Sequence, residues 1–113
     1  MSKFDKSKLY KMSKPQSEIG QYLRSLRKEK GQTLHQVAKA TDIDSPLISK
    51  IERSERIPTA EQIKKFSKYY KVDEANLKVM AAAEKIIKEY GVNDTTYEVA
   101  NLVMEQITPY LKK

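Results

Sequence analysis

The chain has no cysteine and a single histidine, His35, among its 113 residues. Without cysteine it can form neither a disulfide nor a thiolate metal site, and His35 has no neighbour at a metal-ligand spacing. A Ser/His/Asp arrangement, a pair of carboxylates and a glycine-rich phosphate loop are also missing at any usable spacing. We therefore expect no metal, no cofactor and no enzyme activity.

Long apolar runs are missing as well. The longest run, at residues 79–83, is far shorter than a bilayer requires, and the lysine-rich start lacks the apolar stretch of a secretory signal. We expect a cytoplasmic protein without a membrane partner. A length of 113 residues suits one compact domain with a small extension, and leaves no room for a second large domain.

Positive charge dominates the chain, with a formal net charge of +7. Residues 1–16 carry five lysines and one aspartate, residues 17–76 carry twelve basic and nine acidic residues, and residues 77–113 carry five of each. The net charge is thus +4, +3 and zero in these three segments. A basic N-terminal part followed by a neutral C-terminal part is typical of a polyanion-binding domain joined to a protein-contact element.

Apolar residues recur at helical spacing throughout, without a strand pattern or an internal repeat. A mobile basic arm over residues 1–16, ending at Pro15, should precede the first helix. The pattern predicts six helices, over about 17–30, 34–40, 45–53, 60–70, 74–90 and 96–108. The expected fold is all-α, with one helical domain over residues 17–76 and a helical hairpin over residues 77–113.

Capping signals fix most of these boundaries. Thr33, Thr59 and Thr95 each precede a Gln or Glu by three residues, which is the spacing of a capping box. Asp44 and Asp73 are good N-cap residues for helices 3 and 5. Glycines at positions 31 and 91 should end helices 1 and 5.

Residues 31–53 form the most informative segment, since they predict two short helices joined by a tight turn at residues 41–43. This is the pattern of a helix-turn-helix, which places its second helix in the DNA major groove. Burial of Ile48 and Ile51 would turn one side of helix 3 outward. That outward side carries Ser45, Pro46, Ser49, Lys50 and Arg53, with Leu47 near its edge.

The segment from Gly31 to Arg53, with its flanking helices, resembles the lambda-repressor-like (Cro/CI, or XRE) helix-turn-helix family of bacterial and phage regulators. The resemblance covers residues 17–77 and rests on Ala38 at the helix crossing, on the apolar positions 37, 48 and 51, and on the run Ser-Lys-Ile-Glu-Arg at 49–53. It implies a five-helix bundle in which Arg27 of helix 1 pairs with Glu52 of helix 3. The family often has Gly where this chain has Asp42 and Ser54, and Gln where it has Leu34.

The resemblance and the outward face together suggest roles on DNA. Lys50 can donate to guanine, Ser45 and Ser49 can bond base edges or phosphates, and Leu47 can pack either on a thymine methyl or in the core. At the start of helix 2, Gln32 and Thr33 can hold a phosphate, although Thr33 also serves as a cap. Arg53 and Arg56 fit phosphate contacts, and Arg56 could equally be a solvated loop charge. The arm lysines could follow the DNA backbone or remain disordered.

Helices 5 and 6 carry more apolar residues than one domain can cover. Helix 5 has one stripe at 77, 80, 83, 87 and 90 and another at 79, 82 and 86, and helix 6 adds Val99, Leu102, Val103 and Ile107. We expect this hairpin to form a homodimer, and the alternative is an extra layer within the monomer.

The sequence thus predicts a dimeric repressor that reads operator DNA through helix 3. The alternative is an antitoxin-like or adaptor protein, whose hairpin binds a different protein while DNA binding serves autoregulation.

Overall fold

A computed structural model of the protein describes residues 18–111, which form six helices and no strand. The helices are α1 (Glu18–Glu29), α2 (Leu34–Thr41), α3 (Ser45–Glu52), α4 (Ala60–Tyr70), α5 (Glu74–Tyr90) and α6 (Asp94–Leu111). The all-α prediction is confirmed. The predicted basic arm lies outside the described residues.

Capping boxes start α2 and α4, as predicted. The Thr33 hydroxyl accepts from the Gln36 N–H at 3.1 Å, while the Thr33 N–H donates to the Gln36 Oε1 at 2.8 Å. Thr59 and Gln62 form the same pair of bonds at 3.2 and 3.0 Å. Each box satisfies two first-turn amides that have no partner within the helix, and so fixes where the helix begins.

Left-handed residues end three of the helices of the helix-turn-helix region. Gly31 has φ 66°, and the N–H of the next residue, Gln32, donates to the Arg27 carbonyl at 3.1 Å, which is the long bond of a Schellman turn. Asp42, at φ 60°, and Ser54, at φ 69°, adopt the same conformation after α2 and α3. The two positions where the related family often has Gly are thus positions that need a left-handed backbone.

A hydrophobic core holds the first compact unit together, which among the described residues covers 18–85. The core consists of Ile19, Leu23, Val37, Ile43, Ile48, Ile51, Ile63, Phe66, Leu77 and Ala81. It includes the three apolar positions on which the helix-turn-helix resemblance rests. Leu77 and Ala81 belong to α5, so the first turns of α5 complete the core of this unit.

The predicted apolar stripe of α5 lies only partly within the core of this unit. Ala83 and Tyr90 are exposed, whereas the buried residues of α5 are Leu77, Ala81 and Glu84. The buried side follows one spacing of four and one of three residues, and it lies next to the predicted stripe, with which it shares Leu77.

The predicted start of α6 at Thr95 is also wrong, because Asn93 caps this helix instead. The Asn93 Oδ1 accepts from the Thr96 N–H at 2.9 Å, and the Thr96 hydroxyl donates to the Gly91 carbonyl at 2.7 Å. Asparagine is a stronger N-cap than threonine, and the helix therefore begins at Asp94. It also continues past Pro109 to Leu111.

Residues 86–111 form the described part of a second compact unit, and none of its apolar side chains is buried. The large apolar residues that are exposed on α6 are Leu102, Val103, Met104, Ile107, Tyr110 and Leu111. No helix in the part of the chain that the structure describes has the length and hydropathy needed to cross a bilayer.

Candidate nucleic-acid interface

The position of α3 is fixed by a buried ion pair with α1. Arg27 donates to Glu52 through two parallel bonds of 2.9 Å, one from Nε to Oε2 and one from Nη2 to Oε1. The two side chains are only 11% and 4% exposed. The hydrogen bond from Arg27 to Glu52 raises the pKa of the guanidinium above its ordinary value. The pair implied by the family resemblance is confirmed.

Arg27 also connects this pair to the segment before α2. Its Nη1 donates to the Gln32 carbonyl at 3.1 Å, and the Gln32 side-chain Oε1 accepts from the Tyr69 hydroxyl of α4 at 2.7 Å. The Gln32 side-chain oxygen is already bonded to Tyr69, so the side-chain NH₂ group is the part of Gln32 that can donate to an external acceptor. These contacts hold Gln32 at the start of α2, where first-turn amides and the helix dipole favour an anion.

One side of α3 remains open to solvent opposite Ile48 and Ile51. Pro46, Lys50 and Arg53 are exposed on this side, at spacings of four and three residues, and Ser49 lies half-buried beside them. We call these four residues the open face of α3. The structure thus brings together four of the five residues that the sequence predicted to lie on the outward side of this helix.

The other predicted site residues lie around this face. Ser45 is half-buried at the first turn of α3, and Arg56 is exposed in the loop that follows the helix. Leu47 is half-buried and packs against the hydrophobic core, which favours its core role over contact with a thymine methyl. Thr33 is exposed, and its hydroxyl is engaged in the capping box described above.

Glu55 is a residue at this surface that the sequence reasoning did not single out. Its carboxylate accepts from the Arg53 guanidinium at 2.9 and 3.2 Å, and a further Arg53 nitrogen, Nη1, donates to the Ser49 hydroxyl. The left-handed Ser54 between the two charged residues turns the chain back toward α3. The sequence signal for this turn was Ser54, at a position where the family often has Gly. That signal did not indicate that the turn would bring the Glu55 side chain to Arg53.

A family model described as a helix-turn-helix domain matches residues 18–80, which is more than half of the chain. The chain belongs to the helix-turn-helix domain family. Its function is therefore DNA binding in transcription regulation. The resemblance drawn from residues 31–53 is confirmed as a resemblance to helix-turn-helix regulators.

A solved structure similar to this helix-turn-helix protein is the crystal structure of the clp gene regulator ClgR from Corynebacterium glutamicum. The two chains are 24% identical, with a TM-score of 0.51, and the match covers 82% of this chain and 93% of that one. At this identity the likeness concerns the fold. The search of curated proteins found no match.

Proposed function

We propose that this protein is a dimeric repressor that inserts α3 into the major groove of operator DNA. The observation that carries the proposal is the open face of α3, where Lys50 and Arg53 are exposed on a helix whose opposite side is buried. An α-helix fits the major groove, and the side chains of its outer face then reach the base edges. The Arg27–Glu52 pair supports this role because it fixes the direction of α3.

Lys50 is proposed to read bases, since its ammonium group can donate to O6 and N7 of guanine. Ser45 and Ser49 are smaller partners on the same helix, able to bond base edges or phosphates. Sequence discrimination should therefore depend chiefly on Lys50.

Phosphate contacts are proposed on both sides of this face. Gln32 and Thr33 would hold one phosphate at the start of α2, and Arg53 and Arg56 would hold others beyond the end of α3. Contacts of this kind position the protein on the duplex without reading its sequence. They make binding strongly dependent on salt.

The test begins with selection of duplex fragments by the pure protein, which defines the cognate site. Lys50→Ala should then weaken binding to this site by about 1–3 kcal/mol and leave random duplex much less affected. Lys64→Ala, which removes an exposed lysine from α4, is the matched control. Equal losses on both DNAs would contradict base reading by Lys50. Loss of transcription from a promoter that carries the selected site would support repression.

The homodimer is proposed to form through residues 77–113, and chiefly through α6. Val103 and Ile107 are each 47% exposed, and Tyr110 is 84% exposed, at helical spacings that place all three on one side. An apolar stripe of this length is unusual on the surface of a monomer and is typical of an interface. Two recognition helices would also match a two-fold operator with half-sites about 10 bp, or a multiple, apart.

Ile107→Glu in the full-length protein tests this interface by placing a charge within the stripe. Thr108→Glu is the control, because it adds the same charge to the neighbouring exposed position on another side of α6. Sedimentation should show a dimer for the wild type and the control, and a monomer for Ile107→Glu. A monomeric wild type, with and without DNA, would refute the homodimer. A wild type that dimerises only with a different protein would favour the adaptor alternative.

A further inference from the structure

The turn after α3 places an acidic residue beside the cations of the open face. Two backbone bonds hold it there, because the Lys50 carbonyl accepts from the Glu55 N–H at 2.8 Å and from the Arg56 N–H at 3.3 Å. The Glu55 bond and a bond of 3.1 Å from the Ser54 N–H to the Ile51 carbonyl form a Schellman turn around the left-handed Ser54. The position of the Glu55 backbone is therefore fixed relative to the last turn of α3.

The Glu55 side chain occupies the part of Arg53 that best fits a phosphate. A guanidinium binds carboxylate and phosphate in the same way, through two parallel N–H bonds from one edge. In Arg53 the edge formed by Nε and Nη2 is bonded to the two Glu55 oxygens, and Nη1 is bonded to Ser49. All three nitrogens of Arg53 thus have a partner within the protein before DNA arrives.

Lys50 interacts electrostatically with the same carboxylate. The hydrogen bond from Arg53 lowers the pKa of Glu55 most, and the charge of Lys50 lowers it further. Both Arg53 and Glu55 are about half exposed, at 51% and 53%, so the ion pair is open to exchange with an external anion. The carboxylate is therefore ionised at neutral pH, and its charge opposes the approach of DNA at the end of α3.

We propose that Glu55 is an intramolecular competitor of the DNA backbone, which occupies Arg53 in the free protein and must be displaced before Arg53 can bind a phosphate. The proposal rests on the proposed function of α3. Its consequence is that binding to duplex of any sequence is weakened, while base reading by Lys50 is retained. Glu55 would then reduce the capture of the protein by non-operator DNA.

The test compares Glu55→Gln with the wild type in full-length protein, on the selected site and on random duplex, across a series of salt concentrations. Glutamine keeps the size of the side chain and removes its charge. The variant should bind random duplex about threefold to fivefold more tightly at about 0.1 M salt, as expected for release of an exposed ion pair. The gain should shrink as the salt concentration rises, because salt screens the exposed Arg53–Glu55 pair that competes with the DNA in the wild type.

Two further variants separate competition from general charge repulsion. Glu105→Gln changes the net charge equally on the exposed surface of α6 and should leave binding to random duplex unchanged. In an Arg53→Gln background, Glu55→Gln should lose most of its effect, because no guanidinium remains to be released. A full gain in that background, or weaker binding by Glu55→Gln alone, would overturn the proposal. A wild type that fails to bind any duplex would instead refute the proposed function.

Discussion

The Arg27–Glu52 pair allows a direct test of how α3 is held. Substitution Arg27→Met keeps an unbranched side chain of similar length and removes the guanidinium. The Glu52 side chain, which is only 4% exposed, then loses both of its bonds of 2.9 Å. The Gln32 carbonyl loses the one bond that it accepts from Arg27. An ionised carboxylate left in such a position is poorly solvated and has no compensating charge.

Breaking a buried pair from one side typically costs about 3–5 kcal/mol. Small domains have about 5–15 kcal/mol of total stability, so Arg27→Met should remove about a fifth of it or more. At about 4–8 °C per kcal/mol for a unit of this size, the Tm should fall by at least about 12 °C. Replacing both partners, with Arg27→Met and Glu52→Met together, should recover most of the loss because no buried charge then remains.

Urea unfolding followed by circular dichroism measures these differences directly. Arg24→Met, which removes an exposed arginine from the same helix, is the control and should change the free energy of unfolding by less than about 0.5 kcal/mol. A loss no larger than that of Arg24→Met, or a double variant as unstable as the single one, would refute the reasoning.

Three further predictions concern single positions. Ser54→Gly should raise the free energy of unfolding by about 1 kcal/mol, since glycine relieves the strain of φ 69°, and Ser54→Ala should not. Tyr70→Phe should be neutral or stabilising by about 1 kcal/mol, because the buried Tyr70 hydroxyl has no hydrogen-bond partner among the described residues. Burial raises the pKa of Tyr70 above its ordinary 10.0, so the unfolded chain releases this proton first, and wild-type stability should fall above about pH 10 more steeply than that of Tyr70→Phe in urea titrations. Thr59→Ala should cost about 1 kcal/mol in thermal unfolding through loss of its capping box, whereas Thr95→Ala, at the position of the incorrectly predicted box, should cost little.

Local signals in the sequence were sufficient for most of the helix boundaries. The boxes at Thr33 and Thr59 and the left-handed Gly31 depend on residues three or fewer positions apart, and all three are confirmed. The error at Thr95 has the same local character, because two overlapping capping signals compete there. Asn93 prevails, since its side chain reaches the Thr96 N–H and the Thr96 hydroxyl satisfies the Gly91 carbonyl.

Features that depend on packing were harder to predict. The apolar pattern of α5 allowed two adjacent sides, and only contact with the other helices selects the side that contains Leu77 and Ala81. Leu77 and Ala81 pack in the same core as the apolar residues of α1 to α4. The contact between Glu55 and Arg53 depends on a turn geometry at Ser54 that single residues do not specify.

The three bonds of Arg27 have a consequence for how DNA of different sequences is accommodated. They tie the start of α2, through Gln32, to the end of α3, through Glu52. In the proposed complex, the spacing between the phosphate-binding end of α2 and the open face of α3 is then set by the protein and cannot adjust to the duplex. The DNA must therefore change its shape to fit the protein. The free energy of this deformation depends on how easily each base step bends or twists. Affinity should therefore vary with sequence even at base pairs that no side chain contacts.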